Sequence, residues 1–146
     1  MQIVGSDSPL FYKAAAVMRE YLPDIEFMPS CKIMFDDGRY YGLITKNGNN
    51  VMYDHVVIDR FVCNPEIIFI VMTTLFSFGS VVNTFIDVNN KQSERFVQGV
   101  GFKHTGILRG QPKDLAIWSM TAAEWATNRI RLHYIKQKPE NTSDLA

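Results

Sequence analysis

A short apolar run over residues 1–4, stopped by Gly5, predicts a first strand. Ser8-Pro9 then marks a helix start, because proline early in a helix gives up an N–H that has no intrahelical partner. Leu10, Phe11, Ala14, Val17, Met18, Tyr21 and Leu22 follow at helical spacing as far as Pro23. From Ser30 the period shortens to two. Lys32-Ile33-Met34-Phe35, Asp36-Asp37-Gly38 and Tyr40-Tyr41-Gly42-Leu43-Ile44 predict a hairpin with an Asp-Gly turn. Residues 46–50, Lys-Asn-Gly-Asn-Asn, predict a second turn. Residues 51–62 read as one long strand, with Val56, Ile58, Arg60 and Val62 on one face and Val57, Asp59 and Phe61 on the other.

Asn64-Pro65-Glu66 is a helix opening: an N-cap, proline at the first position and an acid in the first turn. The segment behind it, Ile67-Ile68-Phe69-Ile70-Val71-Met72, is apolar all round and β-branched, so propensity alone permits a strand. Its length up to Gly79 and its cap favour a buried helix. Residues 80–88 predict a strand, and residues 93–100 a short helix ended by Gly99 and Gly101. Residues 102–109 and 115–120 predict an antiparallel pair, and Thr121 caps one last helix over residues 121–138. The order is strand, helix, three strands, helix, strand, helix, two strands, helix, which implies an α/β fold with helices packed on a mixed sheet. Residues 1–138 form one domain, and the polar residues 139–146 a frayed tail.

Composition narrows the function classes. The 146 residues are 47% hydrophobic and 21% charged, which excludes a disordered chain. Fifteen basic and 15 acidic residues give zero formal charge, so a nucleic-acid coat or polybasic membrane binder is not expected. Cys31 and Cys63 form no CxxC pair, and His55, His104 and His133 are scattered, so no metal site is expected. No signal peptide is visible, and the longest apolar stretch, residues 67–78, falls short of the about 20 residues a membrane span needs. The expectation is a cytoplasmic protein with reduced thiols.

Residues 87–110, DVNNKQSERFVQGVGFKHTGILRG, followed by DLAIWSMTAAEW, carry a resemblance. Asn90-Lys91-Gln92-Ser93 matches an Asn-x-x-Ser element, Gly101-Phe102 a Gly-Phe pair, and Thr105 to Arg109 a Glu-Gly-x-x-Arg stretch. Together they resemble the GNAT superfamily of acyl-CoA-dependent N-acyltransferases, from about residue 51 to 125. Within it the ribosomal-protein acetyltransferase branch is most similar, and phage-encoded members of that branch most of all. The resemblance implies a GNAT fold, acetyl-CoA as co-substrate and transfer of an acetyl group to an amine. Pantetheine would lie between splayed strands ending near Val62 and Val88, with the pyrophosphate at a helix N-terminus. Phe61, Val62, Cys63, Asn64, Glu66 and Ile67 would frame the cofactor, and Asn90 and Ser93 would orient it. The family's loop, Arg/Gln-x-x-Gly-x-Gly/Ala, reads here as residues 61–68 without a glycine, and Val97 stands where some members carry a tyrosine acid.

Each candidate also has a plain structural reading. Asn90 and Ser93 fit a helix cap and a first turn as well as a cofactor contact. Asp59, on an apolar strand face, is a candidate catalytic base acting through water; Ser93 is the second catalytic candidate. An acid in such a place is also often ion-paired. His55 reads first as a surface histidine, Cys63 as a small core filler, and Glu66 as a helix-dipole partner. Trp118, Phe69, Phe76 and Phe78 are expected in the core. Arg129, Arg131, His133, Lys136 and Lys138 make a solvated basic face or a docking surface for an acidic partner.

The first reading is therefore a GNAT-fold N-acetyltransferase acting on an amine of a protein or small molecule. The alternative is a GNAT-fold phage protein without catalysis, a virion or host-interaction component, in which Asn64-Pro65-Glu66 and Val97 replace the catalytic features. A third is a nucleic-acid-associated protein using the basic C-terminal helix.

Overall fold

The computed structural model describes residues 1–59, 64–110 and 113–136. Among the described residues seven strands form one sheet: β1 (Gln2–Gly5), β2 (Lys32–Asp36), β3 (Tyr40–Asn47), β4 (Asn50–Val57), β5 (Val81–Asp87), β6 (Lys103–Leu108) and β7 (Leu115–Thr121). Their order across the sheet is β1-β2-β3-β4-β5-β7-β6, and every pair is antiparallel except β4 with β5. The helices are α1 (Pro9–Tyr21), α2 (Pro65–Leu75), α3 (Lys91–Val100), α4 (Ala122–Ala126) and α5 (Arg129–Lys136). Among the described residues no helix is long and apolar enough to cross a membrane.

Strand alternation divides the core in two. Ile33, Phe35, Tyr41, Leu43 and Val56 point to one side and pack against Phe11, Ala14, Ala15 and Met18 of α1. Met34, Tyr40, Ile44, Val51, Tyr53, Val82, Ile86, Trp118 and Met120 point to the other side, under α2, α3 and Trp125 of α4. The helical period of α1 and the strand period of β2 and β3 thus meet on the first face, as the sequence pattern requires. Gly38 and Gly48 take positive φ, at 73° and 61°, in the two turns that the glycines predict.

Helix α2 forms because its start is satisfied locally. Asn64 Oδ1 accepts the Ile67 N–H at 2.9 Å, and Pro65 occupies the first position, where no donor is lost. Most of its apolar surface is covered, by the sheet on one side and α5 on another, while Ile70 stays exposed. Phe69, Val71, Met72 and Leu75 are buried, and Phe69 stacks on Tyr134 of α5 with ring centroids 5.6 Å apart.

Three expectations are corrected. The strand expected over residues 51–62 ends at Val57. Both the Ile58 and Asp59 N–H groups donate to the Arg39 carbonyl, at 2.9 and 3.0 Å, so the chain bends back toward the β2–β3 turn. The single last helix is instead two. Thr121 caps α4 in a capping box with Glu124, but the helix stops at Ala126. Asn128 starts the next one: its Oδ1 accepts the Ile130 N–H at 2.9 Å while its Nδ2 donates to the Val100 carbonyl at 2.7 Å. One asparagine thereby tethers α5 to the end of α3. Helix α3 itself begins two residues earlier than expected, at Lys91, directly after its Asn90 cap.

Candidate active site at the strand divergence

Strands β4 and β5 are paired only from Asn50↔Val81 to Tyr53↔Thr84. Beyond that point β4 stays on β3 as far as Val57, and β5 stays on β7 as far as Asp87. Residues 54–57 and 85–87 therefore bound a wedge between two strands that run the same way. A strand edge presents main-chain donors and acceptors, so a wedge of this kind can take an extended amide-bearing ligand as an inserted strand. It also lies at the carboxyl ends of the parallel strands, where α2 and α3 begin.

The first turn of α2 has little donor capacity left. Pro65 has no N–H, the Ile67 N–H goes to Asn64 Oδ1, and the Ile68 N–H goes to the Asn64 carbonyl at 3.0 Å. The Glu66 N–H is left, and the Glu66 side chain is exposed beside it. At α3, Asn90 Oδ1 accepts the Ser93 N–H at 3.2 Å, so Asn90 is a helix cap and Ser93 a first-turn residue. The structure thus brings Asn64, Glu66 and Ile67 to one helix start and Asn90 and Ser93 to the other. Phe61, Val62 and Cys63 lie outside the described residues, as do Arg60 and Lys138.

Asp59 stands beyond the strand rather than on its face. It pairs with Arg39 at 3.0 Å, and Arg39 also meets Asp36 at 3.6 Å. Two wedge side chains differ from the sequence reading: Asp54, which it passed over, and His55, which it read first as a surface histidine. Asp54, the first residue past the last β4–β5 pair, is half-buried, and burial raises its carboxyl pKa above the usual carboxylate value. Among the described residues it has no ion pair or hydrogen-bond partner. Alternation puts it on the α1 side, together with a polar row across the sheet. In that row Asn83 donates to Asn50 at 3.2 Å, Ser119 donates to Asn83 at 2.6 Å, and Thr105 meets Ser119 at 3.2 Å.

His55 points to the opposite side. It is half-buried rather than on the surface, against Tyr53 and Tyr40 with ring centroids 5.6 and 6.0 Å away. Loss of solvent pulls its imidazole pKa down to about 4, so the ring is neutral at pH 7. The Tyr40 and Tyr53 hydroxyls hydrogen-bond each other, and burial drives the Tyr53 phenol well above its ordinary pKa. Gly42 makes this arrangement possible, since a Cβ there would collide with the Tyr53 ring and hydroxyl. Beneath α2 and α3 on this side lies an apolar cavity of about 60 Å³, reaching from Val57 and Thr84 to Met72, Val97 and Phe102.

One signal for Asp54 was present in the sequence: an ionisable residue inside a run of strand formers, Val51-Met52-Tyr53-Asp54-His55-Val56. What could not be read there was where β4 parts from β5.

No protein-family model matches the chain, and no curated protein sequence matches it. Solved structures do resemble it. The aminoglycoside acetyltransferase AAC(6')-Ib in complex with coenzyme A aligns with a TM-score of 0.54 at 12% identity, covering 68% of this chain and 70% of that one. Mycobacterium smegmatis RimJ in complex with CoA-disulfide gives 0.54 at 15% identity over 73% of this chain and 60% of its own. A probable acetyltransferase of the GNAT family from Chromobacterium violaceum ATCC 12472 gives 0.54 at 19% identity, over 67% and 61%. The aligned part thus spans less than two thirds of the latter two chains. With a mixed, mostly antiparallel seven-stranded sheet and helices on both faces, this chain matches those structures at the level of the fold: it has the GNAT acetyltransferase fold.

Proposed function

We propose that the protein transfers an acyl group from a coenzyme A thioester to an amine, with the pantetheine arm in the wedge between β4 and β5. The observation that carries this reading is the loss of pairing after Tyr53↔Thr84 while both strands continue on their outer partners. The amides of pantetheine would complete the ladders of residues 54–57 and 85–87. Asn90 and Ser93 at the start of α3 would orient the cofactor, and Asn64, Glu66 and Ile67 would border it at α2.

The wedge has two unlike sides, which suits the reaction. The amine would approach from the α1 side, where Asp54 and the Asn83–Ser119 row are polar. Its nitrogen attacks the thioester carbonyl carbon, a C–N bond forms, and the amine proton passes to the Asp54 carboxylate. The tetrahedral intermediate then expels the CoA thiolate as the C–S bond breaks. A base whose pKa is raised by burial is better matched to this task near neutrality than an ordinary carboxylate. Asp54 therefore takes the role that the sequence suggested for Asp59, whose carboxylate pairs with Arg39. The acceptor is an amine of a protein or small molecule, the former following the resemblance to the ribosomal-protein acetyltransferase branch.

A second reading, a GNAT-fold protein of phage type that binds a partner without catalysis, draws support from the first turn of α2. Pro65 and the Asn64 cap leave little there to hold a pyrophosphate. Isothermal titration with acetyl-CoA and CoA separates the two. Micromolar binding that Asp54→Asn leaves intact, with loss of acyl transfer in that variant, supports the enzyme; no binding at millimolar ligand supports the scaffold.

A further inference from the structure

We infer that the cavity under α2 and α3 is an acyl-chain pocket, and that the preferred donor carries a linear apolar acyl group of about four to six carbons rather than acetyl. This rests on the reading just given, since it assigns the donor of that same site. The cavity reaches the wedge along its β4 edge, through His55 and Val57, and at its apex, where Thr84 closes the last β4–β5 pair. A thioester lying in the wedge thus has this opening on the side away from Asp54. Behind it Val71, Met72 and Val97 line the space, and charged lining is absent among the described residues apart from the titratable His55, which is neutral at pH 7.

The size fits a chain rather than a two-carbon group. Room for one water takes roughly 10–15 Å³ of such space, so about 60 Å³ admits four to six groups of that size. Water would find poor partners there, because the surface facing the cavity is almost wholly apolar. Methylenes lose nothing by entering. Each one buried is worth about 0.8 kcal/mol, which is close to a fourfold gain in affinity per carbon.

The experiment is titration of the purified full chain with CoA and with acetyl-, butyryl-, hexanoyl- and decanoyl-CoA. Butyryl-CoA is expected to bind about tenfold or more tightly than acetyl-CoA, hexanoyl-CoA at least as tightly, and decanoyl-CoA to lose the gain as the pocket overfills. Val97→Phe and, as a milder filling, Val97→Met should flatten this chain-length profile, with thermal melting showing that the variants fold. A flat profile in the unaltered protein, or acetyl-CoA as the tightest ligand, overturns the inference while leaving CoA use standing. A chain-length profile unaffected by either Val97 variant also overturns it. Failure of every thioester and of CoA itself instead removes the function on which the inference rests.

Discussion

Lowering the pH from 7 to 5 should weaken this fold through one side chain, His55. Its imidazole has an ordinary pKa of 6.5 and a folded pKa of about 4, because Tyr40, Tyr53 and the cavity wall replace its water. A histidine depressed in this way contributes stability above pH 6.5 and loses it as pH falls toward 4, since the unfolded chain takes up the proton first. At pH 5 the loss is about 2 kcal/mol, and near pH 4 it approaches about 3 kcal/mol, at 1.36 kcal/mol per pKa unit. Asp54 has the opposite sign: its raised pKa returns stability as the carboxyl is protonated. Glu124, held low by Lys103 and the Thr121 cap, loses stability only as pH falls below its ordinary 4.5. The wild-type slope is a sum, so the comparison is with His55→Phe, which keeps a ring against the tyrosines and cannot titrate. Urea unfolding at pH 7, 6 and 5 should show the gap between the two proteins changing by about 2 kcal/mol, or on the order of 1 M in midpoint. Parallel pH profiles for the two proteins would refute the buried-histidine argument.

Asp54→Asn should raise the melting temperature at pH 7 by relieving an unpartnered carboxylate, a gain on the order of 1 kcal/mol, and the gain should vanish in acid. The same variant should lose acyl transfer, whereas Asp59→Asn should retain most of it; equal loss in both would contradict the assignment of the base. Gly42→Ala drives a methyl into the Tyr53 ring, and a loss of about 1–3 kcal/mol is expected in denaturant titration. Asn128→Ala removes both the cap of α5 and the bond to the Val100 carbonyl, so about 1–2 kcal/mol should disappear, with faster amide exchange in α5.

The parts of this structure visible in the sequence are those governed by neighbouring residues. Ser8-Pro9 and Asn64-Pro65 start α1 and α2, Gly38 and Gly48 turn the hairpins, and Thr121 caps α4. Spacing also delivered the strand and helix order that the GNAT resemblance requires. The misses arise where distant residues decide. Residues 58 and 59 alternate like a strand, yet the Arg39 carbonyl draws both N–H groups into a bend. Thr127 and Asn128 sit inside a helical pattern, yet the Val100 carbonyl claims the Asn128 side chain and α5 starts anew. Asp54 was missed, and His55 assigned to the surface, for a related reason. Their burial depends on where β5 leaves β4, and adjacent positions on one strand face opposite sides of the sheet.

The central claim is that a CoA thioester lies in the β4–β5 wedge, and amide hydrogen exchange with and without acetyl-CoA tests it most directly. New protection is expected along residues 54–57 and 85–87 and at the first turn of α3, with little change in β1 to β3. Saturating ligand that leaves the wedge amides exchanging at their free rates, or that protects a surface elsewhere, would contradict it.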